Sequence, residues 1–126
     1  MDCNYLNVFC SNIRSIHQNF NLLESFPNIL SNDIIITNEA WLSKLSVFPN
    51  LKNNHNVFTA CQHNKAGGIV AYYNTNLSIE KIPSQLFTTF DCMILWLKPE
   101  NLYIICIYRH PIVTKFYYYL KELDHL

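Results

Sequence analysis

The spacing of hydrophobic positions divides the first third of the chain into a strand, a helix and a second strand. Leu6, Val8 and Cys10 alternate with polar or differently facing neighbours, which predicts a strand ending near Ser11. Over residues 17–30 hydrophobic residues recur at spacings of three and four, which is typical of a helix. Pro27 interrupts this pattern and predicts a kink, or a helix that ends early and restarts. The β-branched run at residues 33–37 predicts a buried strand.

Short hydrophobic runs separated by polar turns fill most of the remaining chain. Residues 43–56 are rich in Asn, Ser and Lys and predict a loop. Residues 57–61 and 68–73 flank a polar turn at 62–67, which predicts a hairpin. Further strands are predicted at residues 77–82, 92–97 and 102–108, with a turn at 99–101 between the last two.

The C-terminal segment, residues 114–126, has helical spacing that places Phe116, Leu120 and Leu123 on one face. The order of elements predicts an α+β fold, or a layered α/β arrangement, with helices on one face of a largely antiparallel sheet. At 126 residues the chain is long enough for one domain and too short for two. Hydrophobic residues make up 50% and charged residues 14%, which favours a packed core over disorder.

The charge balance is neutral, with nine Lys and Arg residues against nine Asp and Glu residues. A dedicated nucleic-acid binder usually has a basic excess, because phosphate neutralisation supplies most of its non-specific affinity. The balance therefore counts mildly against a strong stand-alone DNA-binding module.

Cysteine usage and the termini indicate an intracellular protein. The five cysteines are scattered and form no C-x-x-C pair, which favours buried, reduced thiols over a disulfide framework or a zinc site. The N-terminus has no basic segment followed by an apolar stretch, so no signal peptide is predicted. The longest apolar runs are strand-sized, and no membrane association is expected.

Four short segments stand out, three at predicted strand ends and one on the hairpin. Each segment alone has a plainer explanation. An Asn or a Glu after a strand is usually a turn residue or a solvated carboxylate, respectively, and a Gly pair usually forms a turn. A Tyr on an apolar strand is usually a core residue. Trp41 and Trp96 are interpreted as packing residues. The segments are N-I-R-S at residues 12–15, T-N-E-A-W-L at 37–42, G-G-I-V-A-Y-Y at 67–73 and I-Y-R-H-P at 107–111.

This ordered set resembles the endonuclease/exonuclease/phosphatase superfamily and, within it, the endonuclease domains of LINE- and jockey-like non-LTR retrotransposons. The typical patterns there are N-[VI]-R-S, T-E-T-W-L, G-G-G-V-A-x-Y and V-Y-R-P-P. The resemblance covers most of the chain, from about Tyr5 to the C-terminal helix, but only the first half of the family's domain. The chain departs from the patterns at Asn38 and Ala40, at one missing glycine, and at His110.

The resemblance implies a DNase I-like layered α/β sandwich and a Mg²⁺-dependent DNA endonuclease, with Mg²⁺ as the cofactor and DNA as the partner. It implies that Glu39 holds the metal with Asn12 beside it, and that the hydroxyl of Tyr108 faces the scissile phosphate. Arg109 is expected either to add positive potential for substrate binding or to form a structural salt bridge. These residue types suit the chemistry, because Mg²⁺ prefers oxygen ligands and phosphodiester hydrolysis requires charge neutralisation.

The rest of that family's machinery is a D-x-N motif and a late S-D-H motif that contains the catalytic histidine. The only D-x-N string, at residues 2–4, precedes the first predicted strand, and no S-D-H string occurs. Residues 1–126 are therefore expected to be a partial domain, truncated at its C-terminus and without meaningful nuclease activity. Half of a two-sheet domain is also expected to expose one apolar sheet face, at residues 93–97 and 103–107, and to self-associate or dissolve poorly.

Two alternatives remain open from the sequence. The first is a non-catalytic interaction module that pairs through an open sheet face. The second is an unrelated α+β domain whose motif matches are accidental, which predicts no clustering of Asn12, Glu39 and Tyr108.

Overall fold

Two β-sheets and three helices make up the part of the chain that the computed structural model describes, which comprises residues 5–42, 49–60, 67–85, 87–109 and 116–126. The fold is a mixed α+β fold dominated by strands, as the hydrophobic pattern predicts. The elements are β1 (Val8–Asn12), α1 (Ile16–Ser25), α2 (Pro27–Leu30), β2 (Ile34–Asn38), β3 (Asn54–Thr59), β4 (Ile69–Asn74), β5 (Ile79–Ile82), β6 (Phe90–Leu97), β7 (Leu102–Arg109) and α3 (Phe116–Leu123).

The first sheet has the strand order β1-β2-β4-β3. β1 and β2 are parallel, whereas β4 is antiparallel to both β2 and β3. Every residue of β2 is buried, as the β-branched run predicts for a central strand. The predicted hairpin is confirmed, with Thr59 opposite Ile69. Of its predicted turn at residues 62–67, residues 62–66 lie outside the described residues.

β3 begins earlier than the sequence predicts. Residues 54–56 were expected in a loop, but they pair with β4 from Asn54 opposite Asn74 onward. The polar composition concealed the strand because β3 is an edge strand, whose pairing is made by the backbone and whose side chains are partly exposed. The rest of the predicted loop, residues 43–48, lies outside the described residues.

The second sheet has the strand order β5-β6-β7 and is wholly antiparallel. The predicted turn between β6 and β7 is confirmed, and Asn101 adopts φ 48° there. The sequence indicated one largely antiparallel sheet, and the structure divides the strands between two. The hydrophobic period of a strand identifies its two faces but not its neighbours, so this division is invisible in the pattern.

The helical segment around Pro27 ends and restarts, as predicted. Ser15 is the N-cap of α1, and its hydroxyl oxygen accepts a hydrogen bond of 3.2 Å from the Gln18 N–H. Phe26 is extended, with φ −109° and ψ 105°, because a following proline disfavours the helical conformation. Pro27 then occupies the first turn of α2, where its missing N–H costs nothing.

α1 covers the outer face of the first sheet. Its Ile16, Phe20 and Leu23 are buried in one core cluster with Ile35 of β2 and Val70 of β4. Successive strand residues point to opposite faces, so the neighbouring positions on β2 and β4 belong to a different cluster.

A second core lies between the two sheets. Ile36 and Ala71 of the first sheet are buried in the same cluster as Met93 and Leu95 of the second. The expectation that residues 93–97 form part of an uncovered face is therefore wrong, because the first sheet covers this side of β6. Self-association stays a prediction that rests on β7, where Leu102, Tyr103 and Ile105 are exposed.

α3 covers the outer face of the second sheet and not the face shared with α1. Phe90 and Cys92 of β6 form a third core cluster, against which Tyr119 and Leu123 of α3 pack. The predicted face is wrong at Leu120, which is 46% exposed, and the side chain of Phe116 lies outside the described residues. The helices thus lie on different sheets, which corrects the expectation of helices on one face of one sheet.

The thiols agree in part with the prediction of buried, reduced cysteines. Cys92 and Cys106 are free and buried, but Cys10 is free and exposed, and Cys3 and Cys61 lie outside the described residues. Burial, with a smaller contribution from the neighbouring thiols of Cys10 and Cys92, raises the pKa of Cys106 to about 12. None of the helices in the described ranges has the length and hydropathy needed to cross a membrane.

We expect Glu122 to make the stability of the fold depend on acid pH. Its carboxylate accepts hydrogen bonds from the Thr88 N–H at 2.8 Å and the Thr89 N–H at 2.7 Å, and so ties α3 to the segment before β6. Burial raises the Glu122 pKa, but these hydrogen bonds outweigh it and hold the pKa below the ordinary 4.5. A lowered carboxylate pKa stabilises the fold above the unfolded-state value, and this contribution is lost as pH falls through the folded-state value.

Urea unfolding of the wild type and of Glu122→Gln at about pH 7 and about pH 3 measures this contribution. The wild type should lose more unfolding free energy between the two pH values than the variant does. Glu100→Gln, in an exposed turn, is the matched control and should behave as the wild type. An equal loss in the wild type and Glu122→Gln would contradict the assignment.

Candidate functional site

The loops that leave β1 and β2 are joined to each other by backbone hydrogen bonds. The Ile13 N–H donates to the Asn38 carbonyl at 2.9 Å, and the Ser15 N–H donates to the Glu39 carbonyl at 2.9 Å. The Ile16 N–H then donates to the Ala40 carbonyl at 3.1 Å. The two segments therefore stay paired beyond the ends of the parallel strands, and the backbone of Glu39 is held in place.

Left-handed backbone conformations concentrate in these two loops. Among the described residues, four of the six non-glycine residues with positive φ lie here, namely Arg14 (52°), Ser15 (78°), Glu39 (52°) and Trp41 (58°). Each costs on the order of 1–3 kcal/mol and persists only where the surroundings enforce it. The Asn19 side-chain amide contributes to this, because it donates to the Ile13 carbonyl at 2.9 Å and to the Arg14 carbonyl at 2.6 Å.

The glycine pair before β4 supports the loop after β2. The Ala40 N–H donates to the Gly68 carbonyl at 3.1 Å, and the Leu42 N–H donates to the Gly67 carbonyl at 3.2 Å. Gly68 has φ +104°, and a Cβ atom there would lie 3.1 Å from the Leu42 Cβ. The position therefore requires glycine both for its backbone conformation and for the close approach of the Glu39 loop.

Glu39 and Tyr108 are in direct contact, although they are 69 positions apart. The Tyr108 hydroxyl donates a hydrogen bond to the Glu39 Oε1 and joins the second sheet to the loop of the first. Glu39 Oε2 lies 4.0 Å from the Nε of Arg14, whose side chain is exposed while that of Glu39 is 19% exposed. The site therefore combines a partly buried carboxylate, a phenol and an exposed cation.

The environment keeps the Tyr108 phenol protonated. Burial raises its pKa most, followed by the hydrogen bond to Glu39 and the negative charges of Glu39 and Asp91. Arg14 lowers the pKa and only partly offsets these effects. Tyr108 is therefore a hydrogen-bond donor to Glu39 at neutral pH, and not a base.

Asp91 is the residue of this site that the sequence analysis missed. It is 6% exposed, lies opposite Tyr108 in the pairing of β6 with β7, and accepts a hydrogen bond of 2.9 Å from the Gly68 N–H. An acidic residue is rarely fully buried without a partner. Its place in the otherwise apolar run of residues 90–97 was the available signal.

Asn12 and Asn38 end the two parallel strands side by side. Asn12 is exposed and lies opposite Asn38, which immediately precedes Glu39. Asn38 is buried, and its Nδ2 lies 3.6 Å from the Cys10 Sγ. Its Oδ1 has no hydrogen-bond partner among the described residues. Asn12 therefore lies at the end of the neighbouring strand, opposite the residue that precedes Glu39.

Arg109 lies on a different side of the second sheet from Tyr108. Adjacent strand residues point to opposite faces, and the guanidinium carbon of Arg109 lies 5.6 Å from the ring centroid of Tyr119 on α3. The structure thus brings together Glu39 and Tyr108 and places Asn12 at the neighbouring strand end. It separates Arg109 from this group and supplies Arg14 instead.

The oxygen atoms at this end of the first sheet suit a hard cation in kind. Mg²⁺ is typically held by one or two carboxylates, with water completing the shell, and Glu39 with Asn12 provides one carboxylate and one amide oxygen. Within the described ranges there is no cluster of three or more His, Cys, Asp or Glu residues able to hold a metal ion. The described residues therefore fit part of a Mg²⁺ site.

Comparison of the chain with models of known protein families, with curated proteins and with solved structures finds no match. The assignment of function rests on the sequence motifs and on the geometry of these residues.

Proposed function

We propose that the chain carries the metal-binding half of a Mg²⁺-dependent DNA endonuclease site of the retrotransposon type and has no nuclease activity on its own. The observation that carries the proposal is the hydrogen bond between Tyr108 and Glu39. The two residues belong to separate motifs, and a chance match of unrelated segments gives no reason for them to meet. The position of Asn12 opposite Asn38, the residue before Glu39, adds to this argument.

The packing of the layers is what a DNase I-like sandwich would require. The two sheets share a core between them, α1 packs on the outer face of the first sheet, and α3 packs on the outer face of the second. The Glu39–Tyr108 contact spans the two sheets at the ends of β2 and β7. This arrangement supports the proposed family at the level of architecture.

The chain's own residues have separable roles in this proposal. Glu39 and Asn12 would hold Mg²⁺, which supplies charge neutralisation at a phosphate when bound. Tyr108 donates its single hydroxyl proton to Glu39 and so keeps one carboxylate oxygen oriented. Arg14 places an exposed positive charge beside the carboxylate, where it can attract a phosphodiester.

Among the described residues, no group is found at the site that would activate water. The sequence has no S-D-H string, and its only D-x-N string, residues 2–4, lies outside the described residues. The described histidines are all exposed: His17 lies in α1, His55 lies in β3 and His125 follows α3. The alternative of an interaction module that pairs through an open sheet face loses its β6 part, because Met93 and Leu95 are buried, and rests on the exposed side chains of β7.

Binding of Mn²⁺, used as a paramagnetic substitute for Mg²⁺, tests the proposal. The wild type should bind Mn²⁺, and Glu39→Gln should weaken the affinity by at least about tenfold, because the amide keeps the shape but loses the charge that a hard cation requires. Titration followed by electron paramagnetic resonance of free Mn²⁺ measures the affinity directly.

Glu80→Gln is the matched control for this titration. Glu80 is an exposed carboxylate on β5, and its Oε2 lies 3.2 Å from the Lys98 Nζ. In the second sheet, β6 separates β5 from β7, the strand that carries Tyr108. Substitution of Glu80 should leave Mn²⁺ binding unchanged. Equal affinities for the wild type and Glu39→Gln would refute the proposed metal site.

A further inference from the structure

The buried carboxylate of Asp91 closes a ring of contacts around the site. Asp91 accepts the Gly68 N–H at 2.9 Å, and the Gly68 carbonyl accepts the Ala40 N–H at 3.1 Å. Ala40 follows Glu39, which accepts the hydrogen bond of Tyr108. Tyr108 lies opposite Asp91 in the β6–β7 pairing, and the ring is complete.

This ring links the two sheets at the site by polar contacts. Glu39, Ala40 and Gly68 belong to segments of the first sheet, and Asp91 and Tyr108 belong to the second. A left-handed residue such as Glu39 needs a neighbour that enforces its conformation. The Gly68 carbonyl does this for the peptide that follows Glu39, and Asp91 holds the N–H of the same glycine.

Burying a carboxylate at this position costs desolvation free energy, which its interactions must offset. Burial of a charge beside another carboxylate is unfavourable unless hydrogen bonds compensate it. An asparagine would accept the same hydrogen bond from Gly68 at a lower cost. The carboxylate, however, accepts the Gly68 N–H in a charge-assisted hydrogen bond, which is stronger than a bond to a neutral amide.

We propose that Asp91 is a positioning residue for the site: it anchors Gly68, and through Ala40 it fixes the turn that presents Glu39 to Tyr108. The part of this inference that concerns metal binding rests on the proposed function. The part that concerns the Glu39–Tyr108 contact does not, because that contact exists without metal. Asp91 touches neither metal nor substrate in this role.

The test compares Asp91→Ala and Asp91→Asn with the matched variant Asp33→Ala. Asp33 Oδ2 also accepts one backbone N–H at 2.9 Å, from Asn7, but it precedes β2, whereas Glu39 follows that strand. Two resonances report on the ring in the folded protein, namely the Cζ of Tyr108 in protein labelled with ¹³Cζ-tyrosine and the amide of Gly68. Tyr108→Phe assigns the first resonance.

We expect both Asp91 variants to shift the Tyr108 and Gly68 resonances and Asp33→Ala to shift neither. Asp91→Ala should also weaken Mn²⁺ binding by about ten- to a hundredfold, as the loss of an outer-shell partner does, while Asp33→Ala binds as the wild type. A purely structural Asp91 would lower the unfolding free energy without moving Mn²⁺ affinity in the folded protein.

The outcomes separate this inference from the proposed function. If the wild type binds no Mn²⁺, the proposed function fails, and the two resonances alone decide the role of Asp91. If Asp91→Ala does not fold, the isosteric Asp91→Asn decides by the Tyr108 shift. Unshifted Tyr108 and Gly68 resonances in a folded Asp91 variant would overturn the inference, as would unchanged Mn²⁺ affinity in a folded Asp91→Ala when the wild type binds.

Discussion

Supercoiled plasmid incubated with the purified chain and Mg²⁺ is expected to remain uncut. The described site has a carboxylate, a phenol and a cation, but the sequence lacks the S-D-H motif, and its D-x-N string precedes the first strand. A general base and a phosphate-binding group each contribute roughly a hundred- to ten-thousand-fold in rate. Without both, the rate should fall short of an intact enzyme by about 10⁴- to 10⁸-fold.

A gel assay for the conversion of supercoiled into open-circular plasmid makes this measurement. The wild type and Glu39→Gln should give the same background, which separates the prediction from contamination by another nuclease. Mg²⁺-dependent nicking by the wild type that disappears in Glu39→Gln would show that the residues present suffice for catalysis. The proposal of an inactive half-site would then be wrong, and its metal assignment would gain support.

Phe90→Ala is expected to lower the unfolding free energy by about 3–5 kcal/mol, as deletion of a buried aromatic side chain does. Phe90 is 1% exposed, stacks on Phe87 with ring centroids 4.3 Å apart, and meets Tyr119 edge-on at 5.7 Å. Its removal leaves a cavity in the hydrophobic cluster through which α3 packs on the second sheet. Because domains are stable by only about 5–15 kcal/mol, this loss is a large share of the total.

Leu120→Ala is the matched control for the packing of α3. Leu120 is 46% exposed, so its truncation should change the unfolding free energy by less than about 0.5 kcal/mol. Urea unfolding at neutral pH compares the two variants. A loss at Leu120 as large as that at Phe90 would mean that α3 packs through the face predicted from the sequence, and not through Tyr119 and Leu123.

The local features of this fold can be predicted from the sequence, because they depend on residues that are close together along the chain. The β-branched run at residues 33–37 predicts a buried strand, and the proline at 27 predicts the break between α1 and α2. Both effects arise within a few residues, from side-chain branching and from the ring of proline. Glu39 and Tyr108 were selected from motifs, which identify residues and not their contacts.

The arrangement of the elements depends on contacts between distant segments, and the linear pattern does not contain them. The apolar run of β6 indicates a buried strand, but it does not show that Met93 and Leu95 meet the first sheet. It also does not show that Asp91 meets Gly68, because a buried acid reveals its partner only once the strands are placed. A strand's period is set by its own backbone, whereas its neighbours are set by how all the apolar faces can be buried together.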